Sequence, residues 1–147
     1  MVANSSHLAV FESDGITAAV YLPGGYGCIL PEPPVRMSEV AAAVPANMRG
    51  TFFREYVAES SNETVPLVLL DELAAFLAGA AVGLEYGQDV TLDLSCAREM
   101  HGYCVVLWRL ARERGYSHSD ELLQVLRVLG DWNNEVLVPL WQEGHGQ

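Results

Sequence analysis

The sequence predicts a predominantly helical α+β fold, in which a short N-terminal β-hairpin of two to three strands packs on a bundle of about five helices. Residues 65–84 hold the strongest helical periodicity in the chain and carry only two charges, while β-forming residues concentrate before residue 34. At 147 residues the chain has the length of a single domain, 1–147, with a β-containing part at 1–34 and a helical part at 35–143.

The N-terminal part contains two runs of β-forming residues, 7–12 and 16–22, separated by a Ser-Asp-Gly sequence that suits a tight hairpin turn. Glycines at 24, 25 and 27 then break the chain, and residues 28–30 predict a third short strand before the prolines that begin at Pro31. The glycine cluster follows a strand, as a phosphate-binding loop would. Because no helix follows it, we interpret it as a turn.

Two helices are predicted before the central one. Ser38 can cap a short helix that ends at Val44, because Pro45 disfavours helical geometry in the residue before it. A second helix over about 45–60 is indicated by the helical spacing of Met48, Phe52, Phe53, Tyr56 and Val57.

The central apolar helix is predicted over 65–86, with its end marked by Gly87. One face carries Leu67, Leu70, Ala74, Leu77, Ala81 and Leu84. Its other face is also apolar or small, so it needs cover on both sides. The uninterrupted apolar run at 73–84 is 12 residues long, whereas roughly 20 are needed to span a bilayer. We therefore expect no membrane role.

The same helix carries a groove of small residues formed by Ala75, Gly79 and Gly83. We expect other helices of the chain to cover it. The alternative is that a symmetry-related copy docks there, and a homodimer through another apolar surface is equally open.

Residues 90–95 alternate like a strand, yet apolar residues keep helical spacing from Val90 to Ala111. We favour a helix, which begins at Asp89 or Ser95 and ends near Gly115. A further helix is predicted from Ser119 to Gly130.

A last helix is predicted from Trp132 to about Val138, capped by Asp131, and Pro139 is expected to kink or end it.

Charge is the most informative part of the composition. Nineteen acidic residues against eight basic ones give a net charge of −11, and every basic residue is an arginine. Such a protein repels nucleic acid and anionic membranes, so its natural partner is a basic protein surface. Between residues 55 and 97 there are eight acids and no base. The candidate binding residues from this run are Glu55, Glu59, Glu63, Glu85, Asp89 and Asp93.

The cysteines, Cys28, Cys96 and Cys104, are few and odd in number, which argues against a disulfide framework. The N-terminus has no basic region followed by a long apolar one, so we expect a cytoplasmic protein with reduced thiols. His101 and Cys104 are three residues apart on a predicted helix. No second pair of ligand residues accompanies them in the sequence, and we predict neither a metal nor a cofactor.

No complete catalytic motif is present, so we favour stoichiometric protein–protein binding, as by an inhibitor, an immunity factor or a chaperone. The alternative is a small enzyme whose acid/base pair, His101 with Cys104 or a carboxylate, lies between the hairpin and the helices. A third hypothesis is an acidic mimic of nucleic acid. It requires the eight acids to line one exposed face.

Overall fold

The computed structural model describes residues 11–12 and 16–144, and over these residues the mostly helical α+β organisation is confirmed. The strands β1 (Phe11–Glu12), β2 (Ile16–Leu22) and β3 (Tyr26–Pro31) form one antiparallel sheet in the order β1-β2-β3. Leu22 pairs with Tyr26 across the turn. Residues 7–10 of the predicted first strand, and the predicted turn at 13–15, lie outside the described residues.

Five α-helices follow in the described chain: α1 (Met37–Ala43), α2 (Val68–Glu85), α3 (Thr91–Glu113), α4 (Ser119–Asp131) and α5 (Val138–Gly144). A 3₁₀ turn at Ala46–Met48 and a π-helical turn at Arg54–Ala58 lie between α1 and α2. A second π-helical segment, Trp132–Leu137, joins α4 to α5. Within residues 11–12 and 16–144, none of the helices has the length and apolar character needed to cross a membrane.

The core is built where α2 packs along α3. α2 also contacts β2 and the π segment Trp132–Leu137, and α4 packs on α3. The buried side chains of α2 and α3 are mainly aliphatic, with one tyrosine, Tyr103, fully enclosed. The largest fully buried aliphatic side chains of these two helices are Leu69, Leu70, Leu73, Leu77, Met100 and Leu107.

α2 and α3 end in the same way, at glycines that adopt left-handed backbone geometry. Gly87 has φ +68°, and the next residue donates its N–H to the carbonyl of Gly83 at 2.8 Å. Gly115 has φ +76°, and the Tyr116 N–H bonds the carbonyl of Ala111 at 3.0 Å. These hydrogen bonds satisfy backbone carbonyls that the end of a helix otherwise leaves unpaired. The predicted ends at both glycines are confirmed.

Residues 90–95 are helical except for Val90, which precedes the first turn of α3. The Asp89 carboxylate accepts the Thr91 N–H at 2.9 Å, so α3 begins just after Asp89, at Thr91, and not at Ser95. An acceptor in this position satisfies one of the first free N–H groups of the helix.

The prediction of one continuous helix over about 45–60 is wrong, because side chains of α3 take two of the N–H groups that such a helix would use. The Gly50 N–H bonds the Tyr103 hydroxyl at 3.1 Å, and the Phe52 N–H bonds Glu99 Oε2 at 2.8 Å. The segment is therefore divided into the 3₁₀ turn and the π turn Arg54–Ala58.

The prediction that Gly130 ends a helix is also wrong, since α4 continues through Asp131 into the π segment. Pro139 does not end the last helix either. It lies in the first turn of α5, where a missing N–H is tolerated, directly after a segment whose wider i→i+5 turns differ from α-helical ones.

The groove of small residues on α2 is covered at one end only. A Cβ added to Gly83 would lie 2.5 Å from Val90 Cγ1, so the chain itself covers this position. Gly79 is exposed, and the nearest atom to such a Cβ would be Asp93 Oδ2, at 3.8 Å. The expected cover within the chain is therefore found at Gly83 and not at Gly79.

Candidate functional site

A cleft of about 520 Å³ lies between the first half of α3, the end of α4 and the C-terminal helical segment. This is not the place between the hairpin and the helices that the sequence suggested for a catalytic site. Its polar lining consists of Thr91, Ser95, Arg98, His101, Asn133 and Asn134. Its apolar lining consists of Leu73, Leu94, Ala97, Leu129, Val138 and Trp141, and Gly130 completes the wall.

His101 forms part of this wall and is held by α4. Its Nε2 lies 2.9 Å from the carbonyl oxygen of Leu126. Because a carbonyl can only accept, Nε2 carries the proton of this bond, and in the neutral imidazole Nδ1 is an acceptor. The ring reaches α4 closely because Gly130 has no side chain there.

Asn133 is the one buried polar residue of the described chain, with 8% of its surface exposed. Its Oδ1 has no hydrogen-bond partner among the described residues, and its Nδ2 is 3.5 Å from Asn134 Oδ1. Both asparagines belong to the π segment Trp132–Leu137. Such segments interrupt regular helical bonding and are frequent at functional sites.

Arg98 brings a positive charge to the cleft, one helical turn before His101. Its side chain is exposed, and the described part of the chain gives its guanidinium no ion pair or hydrogen bond. None of the described residues that line the cleft is acidic. The charge that the described residues bring to the cleft is thus positive, whereas the protein as a whole has a net charge of −11.

The structure does not bring Cys104 to the cleft. Its thiol is buried in the core, 1% exposed, and burial raises its pKa, so it stays protonated. His101 and Cys104 therefore face different surroundings, although they are three residues apart on α3. Catalytic roles for the two remain a prediction. Within residues 11–12 and 16–144, no group of three or more His, Cys, Asp or Glu side chains is arranged to hold a metal ion.

Of the six acids proposed for binding, three have partners within the fold: Glu59, Glu63 and Asp89, which accepts the Thr91 N–H as described above. Glu63 accepts hydrogen bonds from the backbone N–H and the hydroxyl of Ser38, at 3.1 and 2.5 Å, and so anchors the first turn of α1. Ser38 thus donates to a distant carboxylate and is not itself the predicted cap. Glu59 forms an exposed ion pair with Arg54, at 2.6 Å. Glu55 is exposed on the same π turn.

The other three acids lie together at the end of the α2–α3 pair. Glu85 and Asp89 are exposed, and Asp93 points toward Gly79 across the helix interface. The eight acids of the run therefore do not form one uninterrupted row of free carboxylates, as a nucleic acid mimic would require.

Large apolar side chains are exposed at this same end. Tyr86 is 75% exposed, Leu92 66% and Val82 54%. Val82 lies in the last turn of α2, Tyr86 directly follows the last residue of that helix, and Leu92 lies in the first turn of α3. We call this surface the α2–α3 corner, defined by Val82, Glu85, Tyr86, Asp89, Leu92 and Asp93.

Sequence reasoning found the acids of the corner but missed its apolar residues, and it found His101 but missed Asn133. Apolar residues in the helices were expected to be buried. One signal was available for Tyr86: it directly precedes Gly87, so it falls at a helix end, where side chains are often exposed. Nothing in the sequence around Asn133 indicated a buried side chain.

Comparison with known proteins finds no matching family model, no matching curated protein and no matching solved structure.

Proposed function

We propose that this protein acts in the cytosol by stoichiometric binding to another protein with a basic surface, in the manner of an inhibitor, an immunity factor or a chaperone. The observation that carries the proposal is the α2–α3 corner, which combines three exposed large apolar side chains with three carboxylates. Exposed apolar groups rimmed by polar residues are typical of protein-binding sites.

The two kinds of side chain have separate roles in this proposal. Tyr86 and Leu92 are the contacts that lose their water on binding, and tyrosine is among the residues that most often dominate binding energy. Glu85, Asp89 and Asp93 attract a basic partner from a distance and so increase the association rate.

The position of the corner on a closely packed part of the fold supports this proposal. In this proposal α2 is the central apolar helix, and the close packing of Gly83 against Val90 fixes the turn that carries Tyr86 and Asp89. A surface that is already ordered loses less conformational entropy when it binds.

The test is affinity purification from the native host with the tagged wild type and three variants, followed by calorimetry and association-rate measurements with the recovered partner. The Tyr86→Ala/Leu92→Ala variant should lose a partner that the wild type binds at a 1:1 ratio. Tyr26→Ala/Ile29→Ala is the matched control, because both residues are exposed apolar side chains on β3. Glu85→Arg should reduce the association rate, and added salt should do the same to the wild type.

Equal binding by all forms, or no partner that binds stoichiometrically, would contradict the proposal. Light scattering on the same samples distinguishes a different partner from a homodimer.

The enzyme hypothesis remains the second candidate because His101 lies at the wall of the cleft. With Cys104 in the core and no acidic residue among the described residues that line the cleft, the substrate itself has to act as the partner of His101. The enzyme hypothesis would be supported by a hydrolytic activity that the wild type has and that His101→Gln lacks, provided that the two proteins melt at the same temperature.

A further inference from the structure

The carboxyl group of Glu32 joins the hairpin to the start of α2. Glu32 directly follows β3, and its Oε1 accepts the N–H of Leu67, the residue before α2, at 3.0 Å. Its Oε2 is buried and has no hydrogen-bond donor in the described chain, nor do the described residues give the carboxyl an ion pair. A buried carboxylate that lacks both a cation and a second donor is far more costly than a neutral carboxyl. The structure therefore favours the protonated form.

The side chains around this carboxyl do not neutralise its charge. Tyr116, between α3 and α4, donates its hydroxyl to the Pro31 carbonyl at 2.5 Å, and burial together with the Glu32 charge raises its pKa. Cys28 of β3 and Glu121 of α4 lie near Tyr116, and burial together with the Glu121 charge raises the pKa of the Cys28 thiol. Tyr116 and Cys28 are therefore neutral near pH 7.

The charged groups of the neighbouring elements have other partners or the wrong sign. His118, before α4, bonds Glu121 at 3.1 Å. Arg114, after α3, pairs with Glu39 of α1 at 2.7 Å. The first turn of α2 contributes Asp71, which is acidic. None of these described groups supplies a positive charge to the carboxyl at the end of β3.

Few described groups attach the hairpin to the helices. Among its side chains whose burial the structure describes, those that are buried are Ala19, Val20 and Leu30. Its polar connections to the helices, within residues 16–144, are the hydrogen bonds of the Pro31 carbonyl and of Glu32. Of these two groups only Glu32 titrates, since burial raises the pKa of its carboxyl from 4.5 to about 7. The charge of one side chain therefore affects a large part of the attachment.

We propose that ionisation of Glu32 releases the β2–β3 hairpin from the start of α2 while the helices stay folded. In the attached form the protonated carboxyl accepts the Leu67 N–H. Once its proton is lost to water, the carboxylate is stabilised by hydration, so this bond breaks and the hairpin moves away. Release uncovers Val20 and Leu30, which share a hydrophobic core with Leu67 in the attached form. Glu32 lies at the opposite end of α2 from the α2–α3 corner, so release does not depend on the proposed protein binding.

The direction of the pH dependence follows from the pKa of Glu32 in the two forms. The value is about 7 in the attached form, whereas the exposed carboxyl of the released form has the ordinary value of 4.5. Between these values the attached form binds more protons than the released form. The equilibrium constant for release therefore rises about tenfold for each pH unit and levels off above pH 7. The whole increase is on the order of 100-fold.

The three cysteines allow release to be measured separately from unfolding. Cys28 is half-buried on β3, whereas Cys96 and Cys104 are buried in α3. The probe is 4,4′-dithiodipyridine, which reacts with thiols in acidic as well as in neutral solution, and mass spectrometry of peptides gives the rate at each cysteine. Hydrogen exchange of the Leu67 N–H is the second measurement. Cys28 and this N–H should react roughly tenfold faster, or more, than the α3 thiols and amides, because release leaves α3 folded.

Three variants make the test specific to Glu32. Comparison of the wild type with Glu32→Gln at the same pH cancels the pH dependence of the labelling chemistry, and their rate ratio at Cys28 should rise roughly 100-fold from pH 4.5 to pH 8. His118→Gln is the matched control, because histidine also titrates near neutral pH, and it should keep the wild-type profile. Tyr116→Phe removes the connection to Pro31 and should increase release roughly fivefold at every pH.

The proposal is overturned if Cys28 and the Leu67 N–H react only as fast as the thiols and amides of α3, because the hairpin then opens only when the whole protein unfolds. It is also overturned if the ratio of wild type to Glu32→Gln does not change with pH, or if His118→Gln abolishes the pH dependence. Should Glu32→Gln fail to fold, the comparison of the hairpin with α3 in the wild type still decides, since it requires no variant.

Discussion

The imidazole of His101 lies against the backbone of Gly130, so closely that a Cβ at residue 130 would come to 3.0 Å from Nε2. Real Cβ atoms are seldom this close to a neighbour. The position of the His101 ring therefore requires a glycine at residue 130. The hydrogen bond between Nε2 and the Leu126 carbonyl requires the ring in this position.

Gly130→Ala should not give the stabilisation that this change usually gives within a helix. Replacing glycine by alanine there normally raises the free energy of unfolding by about 1 kcal/mol. Here the imidazole has to move and lose a hydrogen bond worth about 1 kcal/mol, so we expect no gain or a small loss. In the His101→Ala background the same change should stabilise by about 0.5 to 1 kcal/mol. Urea denaturation of the four proteins measures the difference. A full gain in the wild-type background would contradict the contact.

The two glycines of the α2 groove should respond in opposite directions to alanine. Gly79→Ala should stabilise by about 0.5 to 1 kcal/mol, because its Cβ would meet no close neighbour and alanine favours a helix. Gly83→Ala should destabilise by about 1 to 3 kcal/mol, because Val90 is a stiff side chain in direct conflict with the added Cβ. Each variant is the control of the other in thermal and chemical denaturation. A copy docked in the groove would instead make Gly79→Ala lose an oligomer.

Stability should fall as the pH rises from about 4.5 to about 7, because of Glu32. Burial raises the pKa of its carboxyl from 4.5 to about 7, although a hydrogen bond from the Leu67 N–H, at 3.0 Å, partly opposes the shift. In this window the folded state binds more protons than the unfolded state, so the free energy of unfolding decreases with pH, by at most about 3 kcal/mol.

Glu32→Gln resembles the protonated carboxyl and should remove this dependence. Urea denaturation at pH values from 4.5 to 8 compares the two proteins. Glu39 does not interfere, because its hydrogen bonds with Arg114 lower its pKa to about 2 and its contribution is lost only as the pH falls toward that value. Parallel pH profiles for wild type and Glu32→Gln would refute the assignment.

Tyr103→Phe should destabilise the protein by about 1 to 2 kcal/mol without changing its core packing. The hydroxyl donates to Glu99 Oε2 at 2.5 Å and accepts the Gly50 N–H, so its loss leaves a carboxylate and an N–H with fewer partners. Hydrogen exchange should become faster at Gly50 and Phe52. Tyr86→Phe is the control, since Tyr86 is 75% exposed and the removal of its hydroxyl should change little. No change in exchange at Gly50 would show that the hydroxyl does not hold this segment.

The sequence was informative where structure depends on neighbouring residues. The ends of α2 and α3 at Gly87 and Gly115 follow from local backbone geometry, and so does the start of α3 just after Asp89. The prediction of one helix over 45–60 is wrong because the N–H groups of Gly50 and Phe52 bond to side chains about 50 positions away, which no local pattern reveals.

The candidate site shows the same division. The helical position of His101 was predictable, but its place at a cleft depends on how α4 packs on α3. Asn133 is buried within the π segment, which no pattern in the sequence predicted. The exposed position of Tyr86 depends on what the fold leaves uncovered, and hydropathy favours the opposite assignment.

The π segment Trp132–Leu137 also sets the rotational phase of everything that follows it. Each i→i+5 turn contains one residue more than an α-helical turn, and one residue corresponds to about 100° around the helix axis. Val138 and Trp141 face the cleft with the phase that this extra residue gives them. A deletion of one residue within the segment would therefore leave the chain helical and turn the apolar wall of the cleft away from Arg98.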